Sequence, residues 1–357
     1  MVKQRVLHQF IIGASPGDAI TDQALLLQRW LREDGFSSKI YAESIHPSLS
    51  EIIKPYDRYR PSQTGELVIL HHSIGSDLVD FLLNMDLHLI VIYHNVTPPS
   101  FVQAIDPVLA VHLQKGREQL AVLKERTVLA LGDSAFNEAE LRQAGFSQTG
   151  ILPIVLDPAD YDLEPNPALL REYQEENVKL LFVGRLIANK RQEDLIKLLY
   201  FCRRVDPKAR LFLVGSPWMP AYAEWLRELV EELNLGGAVI FAGHVSQRDL
   251  VTYYRLADVY VSMSEHEGFG KPLVESMYLG VPVVAYAGAA VPETLGGAGV
   301  LVRHKDFEAL AELIDIVAKH PILRQRIIAR QRERAQAFLP MQVRQAWEVL
   351  LQNFFKE

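Results

Sequence analysis

The chain has 357 residues, 49% hydrophobic and 23% charged, an ordinary globular composition with room for two domains that each bury a core. Its formal net charge of −7 argues against a general nucleic-acid binder, and its single cysteine, Cys202, excludes a disulfide framework and a cysteine-rich metal site and suits a reducing cytoplasm. No run approaches the ~18 apolar residues of a membrane span, and the apolar N-terminus, broken by His8 and Gln9 and ended by Gly13, reads as a first strand rather than a signal peptide.

In chain order, residues 6–12 predict a strand that runs into Gly13-Ala14-Ser15-Pro16-Gly17-Asp18, and Ala24, Leu25, Leu27, Gln28 and Leu31 then mark a helical face ended by Gly35. Gly13 and Gly17 fit no G-x-G-x-x-G pattern, so a nicotinamide site has little support. Further strands are expected at residues 39–42, 67–70, 89–93, 128–131 and 150–153. Helical segments separate several of them. From Asp157 to Asn177 the pattern weakens among Pro158, Pro165, Pro167 and many acidic residues, which reads as a connector. Alternation restarts with strands at residues 179–183, 210–214, 239–241, 259–261, 283–285 and 299–302. Strands alternating with helices predict parallel sheets covered on both faces. The expected organisation is a first doubly wound domain over residues 1–156, a linker over 157–177 and a second doubly wound domain over 178–335. A C-terminal helix over 336–357, with Trp347, Leu350 and Leu351 on one side, could pack back on the first domain. Two such domains would face a cleft at the carboxyl ends of their strands. The tail arginines 324, 326, 330, 332 and 334 read best as a solvated helix face. Peripheral contact with an anionic membrane is the alternative.

The densest chemistry lies in Ser264-Glu265-His266-Glu267-Gly268-Phe269-Gly270-Lys271-Pro272-Leu273-Val274-Glu275, directly after the expected strand 259–261. Gly268 and Gly270 allow a sharp turn and a close ligand approach. Pro272 suits the first helical position and Gly280 the stop, which puts Glu267 in the loop and Glu275 in the early helix. The N–H groups of Phe269, Gly270 and Lys271 then open a helix whose positive end suits anions and hydroxyl-rich groups.

Earlier in the same domain, Gly184-Arg185-Leu186-Ile187-Ala188-Asn189-Lys190 sets two cations around the loop after the first strand. Fixed cations in such a loop suit an anionic group such as a phosphate. Arg offers a planar fork and Lys a mobile point charge. Val214-Gly215-Ser216 and Gly243-His244-Val245-Ser246 end two more strands on the same side, and Ser246 with Asp249 makes a capping box. In the first domain, Val91-Ile92-Tyr93-His94-Asn95 brings a histidine to a strand end, with Asn95-Val96-Thr97-Pro98-Pro99 shaping the loop. His8, His71 and His72 show no metal-ligand spacing, and the one D-x-D, Asp160-Tyr161-Asp162, lies in the connector rather than after a strand.

Glu267 and Glu275 with seven residues between them, and the Gly-Arg-Leu…Lys loop in register, resemble retaining glycosyltransferases of the GT-B fold, family four in particular. The architectural likeness covers nearly the whole chain, while the specific motifs lie between Gly184 and Glu293. The resemblance implies transfer of a sugar from a UDP- or GDP-type nucleotide diphosphate donor to a hydroxyl acceptor, a sugar, lipid-linked sugar or small molecule, in polysaccharide or glycoconjugate synthesis. It implies no metal or other cofactor. It gives Arg185 and Lys190 to the diphosphate, the loop Gly268-Phe269-Gly270 with Glu267 to the sugar, and Glu275 to the ribose. Gly184, Gly215 and Val245 fall to the nucleotide, and His94 to the donor sugar from the first domain. Pro292-Glu293 after Gly288 also resembles a recurring family element. One departure is Lys271, where relatives often carry an apolar residue, and it leaves the sugar preference open. Two other readings compete: a nucleotide-sugar-binding inactive partner or sensor with the same clamp, and a glycoside hydrolase using Glu267 and Glu275. The Arg-Lys pair argues against the hydrolase, since a neutral glycosidic bond needs no diphosphate clamp.

Overall fold

The computed structural model describes residues 5–355. Residues 1–4 of the expected first domain, and 356–357 of the expected C-terminal helix, lie outside that range. The chain divides into two compact units. The first comprises residues up to Gln103, Pro107–Val155 and those from Met341 on. The second comprises Ala104–Asp106 and Leu156–Pro340.

In the first unit the strands are β1 (His8–Ala14), β2 (Ile40–Ile45), β3 (Ile53–Pro55), β4 (Glu66–His72), β5 (Leu87–Tyr93), β6 (Thr127–Gly132) and β7 (Thr149–Ile151), in the sheet order β3-β2-β1-β4-β5-β6-β7. All their pairings are parallel; Phe10, for example, lies between Tyr41 and Leu70. The helices are α1 (Ala19–Glu33), α2 (Asp77–Leu83), α3 (Pro107–Leu123) and α4 (Ala135–Gln143). β3 escapes sequence reading because three residues ending in proline carry no alternation to detect, and an edge is where a strand tolerates proline. Asp18 caps α1 by accepting from the Ile20 and Thr21 amides, so the Gly13–Asp18 loop ends in a fixed helix start.

Leu27, Trp30 and Leu31 of α1 pack with Leu152, Val155, Val343, Trp347 and Leu351 in one buried cluster of this unit. Thus the C-terminal helix α13 (Pro340–Phe355) contributes residues from Met341 on to the first unit's core, with Trp347 fully buried. Gly150 packs closely against this helix, a Cβ there standing 2.9 Å from the Leu350 methyl.

The second unit has β8 (Lys179–Val183), β9 (Arg210–Val214), β10 (Val239–Gly243), β11 (Val259–Ser262), β12 (Val283–Tyr286) and β13 (Val300–Val302), ordered β10-β9-β8-β11-β12-β13 and again parallel. Its helices are α5 (Pro167–Glu172), α6 (Gln192–Val205), α7 (Pro220–Glu232), α8 (Gln247–Leu256), α9 (Lys271–Leu279), α10 (Val291–Leu295), α11 (Phe307–Lys319) and α12 (Pro321–Ala335). Each sheet reverses its direction of growth once, between β1 and β4 and between β8 and β11. In such sheets ligands bind at the carboxyl ends beside that reversal.

Two expectations change. The stretch 157–177 is built into the second unit: Asn166 bonds Thr252 and Asp249, and Tyr161 and Tyr173 are buried, the latter edge-on to Phe212 at 4.9 Å. Proline and acidic composition suggested a linker, whereas the buried tyrosines hold the segment down. The arginines of α12 are not one solvated face either. Arg324 bonds the Asp258 carbonyl, and Arg334 donates to the Glu293 and Thr294 carbonyls and lies over the Phe338 ring. Among the described residues no helix is long and apolar enough to cross a membrane.

Candidate functional site

The loops after β10, β9, β8, β11 and β12 gather on one edge of the second unit's sheet, as parallel pairing demands. Their main chains are joined. The Gly215 amide donates to the Gly243 carbonyl (2.8 Å), the Gly184 amide to Val214 (2.9 Å), and the Leu186 amide to Ser216 (2.9 Å). Gly215, at φ 147°, must lack a side chain, since a Cβ would stand 2.0 Å from the Gly184 carbonyl oxygen. Val245 follows Gly243, half-buried, one residue before the cap Ser246. Of the expected capping box the N-cap half is present, with Ser246 Oγ accepting from the Asp249 amide, while the Asp249 carboxylate accepts from the Ser246 hydroxyl rather than from its backbone amide.

The loops after β8 and β11 flank the reversal point, and they meet through Asn189. Its side-chain amide donates to the His266 carbonyl (2.9 Å), and its own carbonyl accepts from the Glu265 amide (2.9 Å). The neighbouring Lys190 ammonium pairs directly with the Glu267 carboxylate. Arg185 stands exposed at the same edge, its guanidinium carbon 4.5 Å from the centroid of the Trp218 ring.

Glu265 is held from two further sides. Lys305, after β13, reaches it at 2.8 Å and Asp194 at 2.7 Å, while Arg191 lies 3.4 Å from Glu265 and 3.1 Å from Asp194. Arg191 adopts a left-handed φ of 56°, uncommon for a non-glycine residue, which its ion pairs to Glu193, Asp194 and Glu265 help to maintain. Asn189, Arg191, Asp194, Glu265 and Lys305 were not recognised from sequence. Asn189 and Glu265 lie inside the two motifs without a role of their own there, Arg191, Asp194 and Lys305 lie outside them, and only contact across loops reveals the group.

Gly270 turns the chain with φ 85° and α9 starts at Lys271, so Pro272 is the second helical residue rather than the expected first. A proline is tolerated throughout the first turn, whose amides have no intrahelical acceptor. The Phe269 ring is buried edge-on against Phe338 at 5.3 Å, and its carbonyl accepts from Thr294 at 2.6 Å. Any contribution of Phe269 or Gly268 to a ligand therefore comes from the main chain. The loop after β12 supports the motif from below: the Ala290 amide donates to the Glu267 carbonyl, and Gly288 packs where a Cβ would be 2.6 Å from the Ser264 carbonyl oxygen.

Glu275 is 5% exposed and takes a hydrogen bond on each carboxylate oxygen, from Tyr161 at 2.7 Å and Tyr254 at 2.6 Å. Burial, then the Glu275 charge, pushes the Tyr254 phenol well above its ordinary pKa, so it stays a donor. Two tyrosines hold this carboxylate, and two of its roughly four lone-pair directions remain for a ligand hydroxyl.

His94 follows β5 as expected, but its ring points inward. Its side chain is 2% exposed and both ring nitrogens are engaged within the first unit, Nδ1 with Asp133 (2.9 Å) and Nε2 with His71 Nδ1 (2.9 Å). In this geometry both ring nitrogens of His94, expected to contact the donor sugar, are bonded within the first unit. The chain of bonds has a direction. Gln9 donates its amide to Ala24, so its Oε1 faces His71 Nε2 at 3.0 Å and accepts. A neutral His71 must then accept at Nδ1 from His94 Nε2, and the bond between His94 Nδ1 and Asp133 needs one more proton, on the ring or on the carboxyl. Burial raises the Asp133 pKa, opposed by His94, and burial followed by His94 holds His71 well below its ordinary value. The adjoining Asn95, at φ 69°, donates to Asn137 and Glu140, and Arg117 ties Glu140 to the Val96 carbonyl. The strand-end loop is therefore rigidly supported. No group of three or more His, Cys, Asp or Glu among the described residues is arranged to hold a metal ion.

The family model described as "Glycosyl transferases group 1" matches residues 171–334. The chain is 29% identical over 232 residues to D-inositol 3-phosphate glycosyltransferase of Thermomonospora curvata, covering 60% of this chain and 53% of that protein. It is 30% identical over 131 residues to O-antigen chain mannosyltransferase B of Escherichia coli, covering 37% and 34%. The chain thus spans about half or less of the length of these curated relatives. Among solved structures it resembles Anabaena Alr3699/HepE in complex with UDP-glucose, with a TM-score of 0.77 and 19% identity over 98% of this chain and all of that one. The likeness shows the GT-B fold, built from two doubly wound parallel sheets.

Proposed function

We propose that this chain, a GT-B protein resembling the group 1 glycosyltransferases, transfers a sugar from a nucleotide diphosphate donor to a hydroxyl acceptor, with retention of configuration and without a metal. The observation that carries this reading is the junction at the second unit's reversal point, where the Arg185/Lys190 loop and the Glu267 loop are clamped together by Asn189 and by the Lys190–Glu267 ion pair. Two cations of different shape beside a glycine-rich helix start suit a diphosphate, and a carboxylate within reach of one of them suits the hydroxyls of the sugar attached to it.

In the reaction, Arg185 and Lys190 stabilise the charge that grows on the departing diphosphate as the glycosidic bond breaks. Glu267, together with the amides of the loop that follows it, holds the sugar, and the departing phosphate oxygen takes the acceptor proton. Glu275 binds the ribose hydroxyls with its remaining lone pairs while Tyr161 and Tyr254 fix its orientation. Gly184, Gly215 and Val245 line the nucleotide with main chain. His94 acts through its loop rather than through its ring. The relatives are named for inositol phosphate and O-antigen chains, which supports an acceptor bearing sugar or cyclitol hydroxyls in polysaccharide or glycolipid synthesis. UDP- and GDP-sugars are the donor classes to test.

The test is calorimetry with UDP and GDP, followed by transfer from the matching nucleotide sugar to a panel of sugar and lipid-linked acceptors, with and without chelator, and NMR of the product anomer. Transfer that persists in chelator with an unchanged anomeric configuration is expected. Tight nucleotide binding without turnover on any acceptor would favour a sensor or inactive partner, and an inverted product would refute retention.

A further inference from the structure

Arg185 is exposed, and the affinity of a diphosphate site that relies on an arginine depends on how well its guanidinium is pre-positioned. Here the neighbouring loop supplies a partner. After Gly215 the chain turns tightly, with the Trp218 amide donating to Ser216 (2.9 Å), and it is tied to the Arg185 loop on both sides of that turn: Leu186 donates to Ser216 (2.9 Å) and Met219 donates to Leu186 (3.3 Å). Met219 is 1% exposed and anchors the turn, whereas Trp218 is 43% exposed. Its indole meets the guanidinium of Arg185 at 4.5 Å from ring centroid to Cζ, well within cation–π range.

We infer that Trp218 is a positioning residue for the donor diphosphate, its ring holding the Arg185 guanidinium by one face so that the edge of the fork is presented to phosphate oxygens. This rests on the reading of Arg185 as a diphosphate ligand. A guanidinium that lies flat on a ring keeps its in-plane N–H groups in the geometry that pairs with phosphate, and the 4.5 Å separation of the Arg185 guanidinium carbon from the Trp218 ring centroid leaves room for that arrangement. An aromatic ring can do this, and an aliphatic side chain of similar bulk cannot.

The experiment compares the wild-type chain with Trp218→Ala, Trp218→Leu and Trp218→Phe, measuring the affinity of whichever of UDP and GDP the wild type binds, alongside the corresponding nucleoside by competition and a melting temperature for each variant. Trp218→Ala and Trp218→Leu should weaken the diphosphate by about tenfold while leaving the nucleoside unchanged, and Trp218→Phe should restore affinity to within about threefold, as a cation–π contact predicts. In an Arg185→Ala background the further loss from Trp218→Ala should vanish. Equal diphosphate affinity in Trp218→Ala, an equal loss on the nucleoside, or full additivity with Arg185→Ala would each overturn the inference, the second by showing that the indole touches the base itself. If the wild-type chain binds neither diphosphate, the functional reading falls and this inference with it. Wild-type binding that Trp218→Ala leaves intact removes this inference alone.

Discussion

Lys190 and Glu267, 77 residues apart in the chain, form an ion pair across the point where the second unit's sheet reverses. Their side chains are 22% and 12% exposed, so the pair is partly shielded from water and from salt. A diphosphate bound beside Lys190 competes with Glu267 for the same ammonium, and that competition separates ligand binding from turnover.

Glu267→Gln removes the competing charge while keeping the shape. Nucleoside diphosphate affinity should rise about three- to tenfold, at 1.4 kcal/mol per factor of ten, while transfer falls by two orders of magnitude or more because the sugar loses a charged partner. Calorimetry set beside steady-state kinetics checks this. Weaker diphosphate binding in Glu267→Gln would show that the carboxylate supports the nucleotide instead.

The two cations should differ in what they do for the fold. Arg185 is exposed and held by Trp218, so Arg185→Ala should reduce diphosphate affinity and transfer strongly while costing no more than about 1 kcal/mol of stability. Lys190→Ala also strands Glu267, and should cost about 2 kcal/mol of stability, below the 3–5 kcal/mol of a fully buried pair broken on one side. Thermal melts of the two variants, each with and without a second Glu267→Gln change, decide it. Only the Lys190→Ala defect should be relieved by that change.

For His94 the expected lesion is structural first. His94→Ala leaves the buried Asp133 and His71 without their shared partner and should lower the melting temperature by several degrees, by the desolvation cost of an unpaired buried group. His94→Gln, which can still bond one neighbour, should recover part of it. A His94→Ala chain with wild-type stability and abolished transfer would return the ring to direct contact with the donor.

His72, buried and donating to the Gly116 carbonyl at 2.8 Å, has its pKa lowered to about 4, chiefly by burial. In the unfolded chain the group titrates near 6.5, so between those values the unfolded state binds more protons than the folded one. Stability from this residue is complete above about pH 6.5 and declines as the pH falls towards 4, by about 1.4 kcal/mol per pH unit. Melting temperatures from pH 7.5 to 5 should fall more steeply for the wild type than for His72→Gln. Parallel curves would show that His72 carries none of the dependence.

The sequence by itself determined the elements of this protein and the chemistry offered at their ends. The strands Lys179–Val183 and Arg210–Val214 were expected with the bounds observed, because a buried parallel strand is a continuous apolar run between turn residues, and such a run is visible in consecutive letters. The Ser246–Asp249 cap and the Gly280 helix stop were equally legible, being contacts within one turn. Tertiary structure decided which of these ends meet. Nothing local specifies that β11 pairs beside β8, yet that neighbourhood brings Lys190 to Glu267 and lets Asn189 clamp the motif. It also turned 157–177 from an expected connector into packed structure, since Tyr161 finds a partner in Glu275, 114 positions further along the chain. The same holds for His94, whose ring direction is set by Gln9, His71 and Asp133 from three other strands or strand ends. A propensity acts over a few residues, whereas a buried polar group must find its partner wherever the sheet order delivers one.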